Sequence, residues 1–431
     1  MRISELSERF FRFKERGTHP YKEVMAGITA FLTMAYALVL VPTLLAGHGM
    51  HFESVMTATV LTAITATILM GILANYPFIV APGVAMVAYV HYVMMQKWHM
   101  PWQAVMGTIF LVGVLLIILT FLKVRNLIVA TVPGCLRVAA IAGIGVFLIV
   151  IGLQNGGLLL RKEWFFTLPS AFTFSHLMVL IGLVLTGILW ILRFPAALFL
   201  GMVVVWSLSI FLGHAHIQHV ASLPHSLSPT LLKLDVMQAL QPKYLSALLS
   251  LLFVALFDST GALMSLAHQL KLGPLHVQRV FTCDAVGSFM AGCLGTSPAA
   301  LYLESLSAIA VGARTGLAAL VAAGCMAGAL FLTPLISSMP AYLAAPVLII
   351  LGSSMVSQVK NFIWKDVTEW LPGCITLVLI PISLNIAAGI GAGYLSYCLL
   401  KVVRGKAKDV QWFSWLLAGF FLLKFLILDR F

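Results

Sequence analysis

Charged side chains are scarce in this sequence. Only 9% of its 431 residues are Asp, Glu, Lys or Arg, while 61% are hydrophobic. A soluble protein needs about a quarter of its residues charged to cover its outside, so the apolar excess must face lipid. This shortage excludes a soluble enzyme, a nucleic-acid binder and a disordered scaffold as descriptions of the whole chain.

Acidic residues are scarcer than basic ones. The chain holds 14 Asp and Glu against 26 Lys and Arg, which gives a formal net charge of +12. Most of the basic residues lie between the apolar runs rather than within them. That distribution suits the anionic head groups of a lipid bilayer better than a nucleic acid, so we expect no nucleic-acid partner.

Cysteine is also rare and carries no pattern. The six cysteines lie inside apolar runs and form no CxxC pair, which excludes a disulfide framework and a zinc site. Four histidines gather in one polar loop, but flexible exposed loops often collect histidines. We therefore expect no metal and no cofactor. These histidines are His214, His216, His219 and His225.

What the sequence has in abundance is long apolar runs. At about 20 residues per crossing, they predict about fourteen transmembrane helices and an all-α polytopic membrane protein. The runs lie at residues 24–47, 54–76, 78–95, 102–122, 133–153, 175–192, 196–213, 245–267, 277–294, 296–312, 315–336, 340–356, 370–385, 386–400 and 412–428.

A proline-containing polar stretch divides these runs into two sets of about seven. We predict a cytoplasmic tail (1–23), a first repeat (24–213), an extracytoplasmic loop (214–244) and a second repeat (245–431). An odd number of spans gives the two repeats opposite topology, which is typical of inverted-repeat transporters. The last run, from Trp412 to Leu428, fits either an additional span or a helix on the membrane surface.

The positions of Lys and Arg predict the orientation. With the N-terminus inside, the loops holding Lys123 and Arg125, Arg193, and Lys271 face the cytoplasm, as the positive-inside rule requires. The exceptions, which would lie outside, are Arg161, Lys162, Lys233 and Lys243. We expect a multi-pass protein of the cell membrane, in bacteria the inner membrane.

One span in each repeat is interrupted at a matching place. In the first repeat the third run is broken by Pro77 and by Ala81-Pro82-Gly83, and in the second repeat by Gly295-Thr296-Ser297-Pro298. Broken spans in corresponding positions indicate a binding site near the bilayer midplane. Pro and Gly also occur as simple packing kinks in membrane helices, and that reading stays open.

Three acidic residues, Asp258, Asp284 and Glu304, lie well inside apolar runs of the second repeat. A charge at that depth costs at least about 2.5–3.5 kcal/mol. The run pattern places no Lys or Arg at comparable depth beside them. They fit a site that accepts hydrogen bonds from a substrate and exchanges protons. The alternative is that they only form hydrogen bonds between helices.

The local sequence supports a site. Glu304 follows the second break by six residues, which predicts a position about two turns into a helix that starts near Pro298. Asp258 lies in the sequence FDSTG. The next three residues, Ser259, Thr260 and Gly261, are small and allow a flat molecule to approach the backbone.

The chain contains several motifs in a fixed order: ERGTHPYKEVMAGITAFLTMAY, ANYPFIVAPG, LFDSTG, CDAVGS, GTSPAALYLES and GARTGL. This combination resembles the AzgA-like purine permeases, a branch of the nucleobase-ascorbate (xanthine/uracil permease) transporters. The resemblance runs from Glu15 to about Lys401.

The resemblance implies a 7+7 inverted repeat in which a core domain (spans 1–4 and 8–11) moves against a gate domain (spans 5–7 and 12–14). It implies proton-coupled uptake of hypoxanthine, guanine or adenine across the bilayer. Asp258 and Glu304 match the positions that hold the base, and Asp284 matches one linked to transport and coupling. All three are thereby assigned to proton coupling.

We also assign the break residues Gly83, Ala85, Val87, Ser297 and Pro298 to the substrate site. A homodimer is an open alternative to a monomer.

The chain departs from the family pattern where it has Val41 and Val87 in place of Asn, and Pro298-Ala299-Ala300-Leu301 in place of a Thr/Ser-rich run. These departures predict a drier site.

Two other functions compete with purine transport. An anion transporter of the same fold class would need a positive or neutral site, which the three buried acids oppose. A substrate sensor that does not transport is favoured only by the lost polar residues. An enzyme is not expected, because neither a metal cluster nor a nucleophile–base pair is visible in the sequence.

The predicted orientation can be tested by labelling. We expect Cys at position 222, placed in a background without the native cysteines, to react with an impermeant thiol reagent in intact cells. We expect Cys at position 271 to react only after the membrane is opened. Stronger labelling at 271 than at 222 in intact cells would reverse the orientation.

Overall fold

Long apolar helices form most of the part of the chain that the structure describes. The computed structural model describes residues 8–162, 165–169, 171–217, 219–270, 273–362, 364 and 366–427. The start of the predicted cytoplasmic tail and the loop residue Lys271 lie outside the described residues.

The first repeat contains eight helices and three short strands among its described residues. They are α1 (Pro20–Leu45), α2 (Phe52–Leu69, extended by a π-helical turn Met70–Ala74), β1 (Val80–Pro82), α3 (Val84–Tyr89, extended as a π-helix Val90–Lys97), α4 (Trp102–Phe121), α5 (Val124–Thr131), α6 (Gly134–Asn155), β2 (Leu160–Lys162), β3 (Phe165–Thr167), α7 (Phe174–Ile191) and α8 (Ala197–Phe211).

The second repeat follows a short helix, α9 (Val236–Ala239). It consists of α10 (Pro242–Leu270), α11 (Pro274–Leu294), β4 (Ala299–Leu301), α12 (Ser305–Val311), α13 (Gly316–Ala329, continued by turns to Ser337), α14 (Ala344–Val356), α15 (Val367–Ser383), α16 (Ile386–Val403) and α17 (Trp412–Ile427).

The predicted polytopic architecture is confirmed. Nine helices among the described residues are long and apolar enough to cross a membrane, and three shorter apolar helices accompany them. The run from 370 to 400 is two helices, as predicted. They are separated at Asn385, whose side-chain Oδ1 accepts a hydrogen bond from the Ala388 amide at the start of α16.

The last helix, α17, packs on the bundle. Its Phe421 is fully buried and lies against Phe253 of α10, with a ring-centroid distance of 4.7 Å, and against Tyr394 of α16 at 6.0 Å. Gly391 of α16 leaves the space that the Phe421 ring fills, because a Cβ there would lie 2.6 Å from Phe421 Cδ1. The aromatic side of α17 therefore belongs to the protein interior.

The helices pack in two groups. In the first, α4 packs on α11, and α13 packs on α1 and α2. In the second, α6 packs on α14 and α15, and α15 packs on α16. Helix α10 contacts both groups through α4, α6 and α16.

Glu23 and Asn75 tie the two repeats together at the start of α13. Glu23, which is fully buried, accepts hydrogen bonds through Oε1 from the backbone amides of Arg314 (2.7 Å) and Thr315 (3.2 Å). Asn75 Oδ1 accepts the Gly316 amide at 2.8 Å. These acceptors satisfy amide groups that a helix N-terminus would otherwise leave unpaired.

Two basic residues at the ends of apolar runs, Lys401 and Arg125, are buried. Lys401 donates a hydrogen bond from Nζ to Glu369 Oε1 at 2.6 Å. Arg125 lies on α5 with 1% of its side chain exposed. Its assignment to a loop was wrong, because a charge count along the chain does not show that Val124–Thr131 forms a helix that folds against the bundle.

The contact between α4 and α11 predicts where an added methyl group is not tolerated. A Cβ at Gly113 would lie 2.5 Å from the Phe289 Cα, which is backbone and cannot move aside. We expect Gly113→Ala to lower stability by about 1–3 kcal/mol. The matched control is Gly187→Ala on α7, where a Cβ meets nothing within 4 Å. Equal melting temperatures for the two variants would contradict this close approach.

Candidate functional site

Two broken spans cross at the centre of the site. Strand β1 pairs antiparallel with β4, with Val80 opposite Leu301, Ala81 opposite Ala300 and Pro82 opposite Ala299. The pairing continues at both ends, because the Gly83 amide donates to the Pro298 carbonyl at 2.9 Å and the Tyr302 amide to Ile79 at 3.0 Å. Extended backbone inside a bilayer is tolerated only when its polar groups are satisfied in this way.

Side chains of neighbouring helices complete the hydrogen bonding of the crossing. Thr67 of α2 donates from Oγ1 to the Val80 carbonyl at 2.9 Å, and Ser288 of α11 donates to the Ala299 carbonyl at 3.0 Å. The Tyr302 hydroxyl donates to the Pro82 carbonyl at 2.5 Å and so links the two breaks directly. The matched interruptions in the sequence are therefore one structural feature.

A helix begins after each strand. Gly83 precedes α3, and Glu304 precedes α12, which starts at Ser305. The predicted helix start near Pro298 was wrong, because Ala299–Leu301 is a strand. Glu304 consequently lies before the first turn of its helix rather than two turns into it. The amide groups at the start of α12 are paired with carbonyls of the turn before it, among them the Ser305 amide with the Tyr302 carbonyl at 3.2 Å.

A cavity of about 460 Å³ lies against this crossing. The first helix group and α10 contribute Tyr36, Gly83, Ala85, Asp258 and Glu304 to its wall. The opposite wall is mostly apolar. Its residues include Ile141, Ile144 and Leu148 of α6 and Leu351 and Met355 of α14. None of the described residues that line the cavity is Lys, Arg or His.

Glu304 has one hydrogen-bond partner within the cavity wall. The Tyr36 hydroxyl of α1 donates to Glu304 Oε1 at 2.5 Å. The backbone carbonyl of Glu304 accepts a bond from the Ser307 hydroxyl at 2.6 Å, which holds the turn ahead of α12. Glu304 lines the cavity, so a ligand there can reach its carboxylate.

Asp258 is the less satisfied carboxylate. No described residue donates a hydrogen bond to it. A Cβ placed on Gly83 would lie 3.5 Å from Asp258 Oδ2, so the absence of a side chain at Gly83 keeps this oxygen accessible. The cavity thus holds two carboxylates that can accept hydrogen bonds from the same ligand.

Asp284 lies outside the cavity wall and has a different environment. Its Oδ2 accepts a hydrogen bond from Arg125 Nη2 at 2.6 Å, and both side chains are 1% exposed. Its Oδ1 accepts a bond from the Ser259 hydroxyl at 2.9 Å. The expectation that no basic residue lies at the depth of the buried acids was therefore wrong. Ser259 directly follows Asp258 in α10. This hydrogen bond therefore connects Asp284 to the segment that carries Asp258.

The other predicted site residues divide into two sets. Gly83 and Ala85 line the cavity. Val87, Ser297 and Pro298 are absent from its described lining, and Val87 and Ser297 are fully buried. Val41, which replaces an expected Asn, is also fully buried.

Sequence reasoning missed two tyrosines. Tyr36 and Tyr302 both line the cavity and both bond to groups of the broken spans. Each lies inside a motif used for the family resemblance, Tyr36 at the end of FLTMAY and Tyr302 within LYLES. Hydroxyl groups within otherwise apolar runs were the signal that could have identified them.

The sequence profile of a permease family, Xan_ur_permease, matches residues 21–392. The chain belongs to the xanthine/uracil permease family. It is thus a multi-pass membrane transporter and not an enzyme, and the predicted family membership is confirmed.

Family members with curated names align over nearly the whole chain. A protein of Methanocaldococcus jannaschii named as a permease is 37% identical and covers 99% of this chain and 100% of its own. Adenine permease AdeP of Escherichia coli is 34% identical, with 98% and 96% covered. Guanine/hypoxanthine permease PbuO of Bacillus subtilis is 32% identical, with 93% and 96% covered.

Solved structures share the fold of this family member. The transmembrane domain of the cyanobacterial bicarbonate transporter BicA matches with a TM-score of 0.61 at 16% identity, covering 86% of this chain and 96% of its own. The murine anion transporter Slc26a9, in its inward-facing state, matches with a TM-score of 0.69 at 12% identity, covering 89% and 68%. The predicted 7+7 inverted-repeat fold is confirmed.

The two environments of buried aspartate predict opposite effects on stability. Asp284→Asn leaves the Arg125 guanidinium buried without a counter-charge, so we expect a loss of about 3–5 kcal/mol. Asp258→Asn removes a carboxylate that has no described donor, so we expect an unchanged or raised melting temperature.

The double variant Arg125→Met/Asp284→Leu is the control for this pair. It removes both charges, and we expect it to melt above either Asp284→Asn or Arg125→Met. Melting temperatures in one detergent compare all these variants. Equal destabilisation by Asp258→Asn and Asp284→Asn would contradict the assigned environments.

Proposed function

We propose that this permease takes up a purine nucleobase, hypoxanthine, guanine or adenine, together with protons. The proposal is supported first by the names of its relatives, adenine permease AdeP and guanine/hypoxanthine permease PbuO. The structural observation that carries it is the convergence of Asp258 and Glu304 on one cavity beside the β1–β4 crossing.

The chemistry of the cavity suits a planar base. Its volume of about 460 Å³ falls within the range of small-ligand sites. Purine rings carry N–H groups, and the carboxylates of Asp258 and Glu304 can accept hydrogen bonds from them. Apolar side chains such as Ile144 and Leu148 offer the ring faces a contact surface. Binding thus combines two fixed acceptors with an apolar slot.

The proposed coupling proton binds at the cavity carboxylates. Ionisable groups inside membrane spans commonly form the proton relays of transporters. Asp258 has no described hydrogen-bond donor, and Glu304 has one, Tyr36. Asp284 is neutralised by Arg125, and we assign it an indirect role in coupling through Ser259, which is adjacent to Asp258 in sequence.

The two helix groups support an alternating-access mechanism. The carboxylates belong to the proposed core domain (spans 1–4 and 8–11), whereas α6 and α14 belong to the proposed gate domain (spans 5–7 and 12–14). Because the cavity lies between these groups, a displacement of one against the other changes access to it.

Anion transport is the second candidate, since BicA and Slc26a9 share the fold. No observation at the site favours it. The described lining contains two carboxylates and no basic side chain, which opposes an anionic ligand. Similarity of fold alone does not carry a substrate from one protein to another.

Glu304→Gln tests the proposed site. The substitution keeps the size of the side chain but replaces an acceptor oxygen by a donor, so a ligand N–H loses its partner. We expect purine affinity to fall about five- to hundred-fold, from a loss of about 1–3 kcal/mol. Base binding and melting temperature are measured on the same purified sample, and the melting temperature should stay close to that of the wild type.

The matched control is Glu53→Gln, in the first turn of α2 and outside the cavity lining. It should bind purine like the wild type. Native affinity in Glu304→Gln would remove this residue from the site, and a lowered melting temperature with native affinity in the folded fraction would indicate a packing role.

Uptake of a labelled base into cells that lack their own purine permeases tests transport itself. We expect uptake that stops when an ionophore collapses the proton gradient. Uptake that persists would refute proton coupling, and purine binding without uptake would indicate a sensor.

A further inference from the structure

Helix α5 (Val124–Thr131) connects the two helix groups. It follows α4 of the first group and precedes α6 of the second, and it packs on α4 and α11. In the proposed mechanism one group moves against the other, so one part of this connection must bend while the rest moves with one group. The contacts of α5 identify the part that does not bend.

The first turn of α5 is bound to α11. Arg125 Nη1 donates to the Phe281 carbonyl at 3.2 Å and Nη2 to Asp284 Oδ2 at 2.6 Å, while the guanidinium lies 4.1 Å from the centre of the Phe281 ring. Asn126 Nδ2 donates to Gln278 Oε1 at 2.9 Å. The donors of a guanidinium form a rigid planar fork, so these partners fix the direction of the side chain as well as its position. The start of α5 therefore moves with the first group.

The other end of α5 has the features of a hinge. Val132 and Pro133 have ψ angles of 123° and 135°, which are not helical. Pro133 has no amide hydrogen, so helical hydrogen bonding cannot continue across it. Gly134 begins α6, and a Cβ at this position would meet nothing within 4 Å. A change in the direction of α6 relative to α5 can therefore occur at residues 132–134.

Asp284 connects the bound end of α5 to the cavity. Its Oδ2 accepts from Arg125, and its Oδ1 accepts from the Ser259 hydroxyl of α10 at 2.9 Å. Ser259 is 1% exposed, whereas Asp258, the residue before it, lines the cavity. Consecutive side chains of an α-helix point about 100° apart, so α10 presents Asp258 to the ligand and Ser259 to α11. One carboxylate thus joins the ligand-binding segment of α10 to the connection between the groups.

We propose that Arg125 and Ser259 are positioning residues of transport, which act through Asp284 to make the first turn of α5 and the cavity segment of α10 move as one body. The proposal rests on the proposed function, in which the cavity carboxylates move with the first group. Neither Arg125 nor Ser259 belongs to the described cavity lining. Without this link, movement of α6 would pull α5 away from α11 instead of bending residues 132–134. The cavity would then bind its ligand normally but change sides slowly.

The first test separates binding from movement, with purified protein in liposomes. Ser259→Ala removes one hydroxyl and leaves the Arg125–Asp284 ion pair in place, while Arg125→Lys keeps the positive charge but loses the fork. For each variant we expect the Kd for hypoxanthine to stay within about two-fold of the wild type. We expect the maximal rate of uptake to fall about five- to ten-fold, the effect of one lost hydrogen bond. In the double variant the rate should fall no further, because both substitutions break the same link.

A second measurement needs no substrate. Deuterium uptake by the backbone amides of residues 124–131 reports how firmly α5 is held on the bundle. We expect Ser259→Ala to raise this uptake, although Ser259 lies on another helix. The matched control is Thr108→Val in α4, which removes a buried hydroxyl that donates to the Ala104 carbonyl of its own helix. It should change neither the exchange of α5 nor the rate of uptake.

The outcomes distinguish this link from the proposed function. A wild-type rate in Ser259→Ala, or losses that multiply in the double variant, would overturn the link and leave the proposed function standing. A weaker Kd with an unchanged rate would also overturn it, since Ser259 would then act on binding. A wild-type protein that neither binds nor takes up purine would refute the proposed function. The exchange measurement then decides on the link, and unchanged deuterium uptake of α5 in Ser259→Ala would overturn it. Melting temperatures of the same samples confirm that folded proteins are compared.

Discussion

The antiparallel pairing of β1 with β4 is the contact on which the rest of the site depends. Each strand is only three residues long, and an unpaired backbone group in the bilayer interior costs several kcal/mol. Neither break could persist alone at that depth. Because each break satisfies the other, the two repeats must meet there, and Gly83 and Glu304 are brought to one cavity although they are far apart in sequence.

The three buried acids show how differently one type of charge can be accommodated. Asp284 is neutralised by Arg125, Glu304 is bonded to Tyr36, and Asp258 has no described donor. Asp258 and Glu304, which line the cavity, can therefore accept hydrogen bonds from a ligand. Asp284, which is tightly packed, is already paired with Arg125. The same fold carries anion transport in its structural neighbours, so side chains rather than architecture set the substrate class.

Much of the fold was predictable, because apolar runs of about 20 residues have few alternatives to a membrane span. The boundary at Asn385 and the two broken spans were also visible, since Pro, Gly and helix caps act locally. Arg125 was misplaced because a charge count cannot show that a short helix folds back on the bundle. The start of α12 was misplaced because Ala299-Ala300-Leu301 fits a helix as well as a strand until its partner is known.

Composition by itself determined that this is a membrane protein, because a chain with only 9% charged residues cannot form the polar surface of a soluble protein. The order of runs and breaks determined the repeat architecture. It also identified Asp258 and Glu304 as candidate site residues, because a carboxylate inside an apolar run is costly to bury. Only the tertiary structure decided that Arg125 neutralises Asp284 and that Tyr36 contacts Glu304. Those outcomes depend on contacts between residues hundreds of positions apart, whose geometry follows from how the two repeats pack and not from any local pattern.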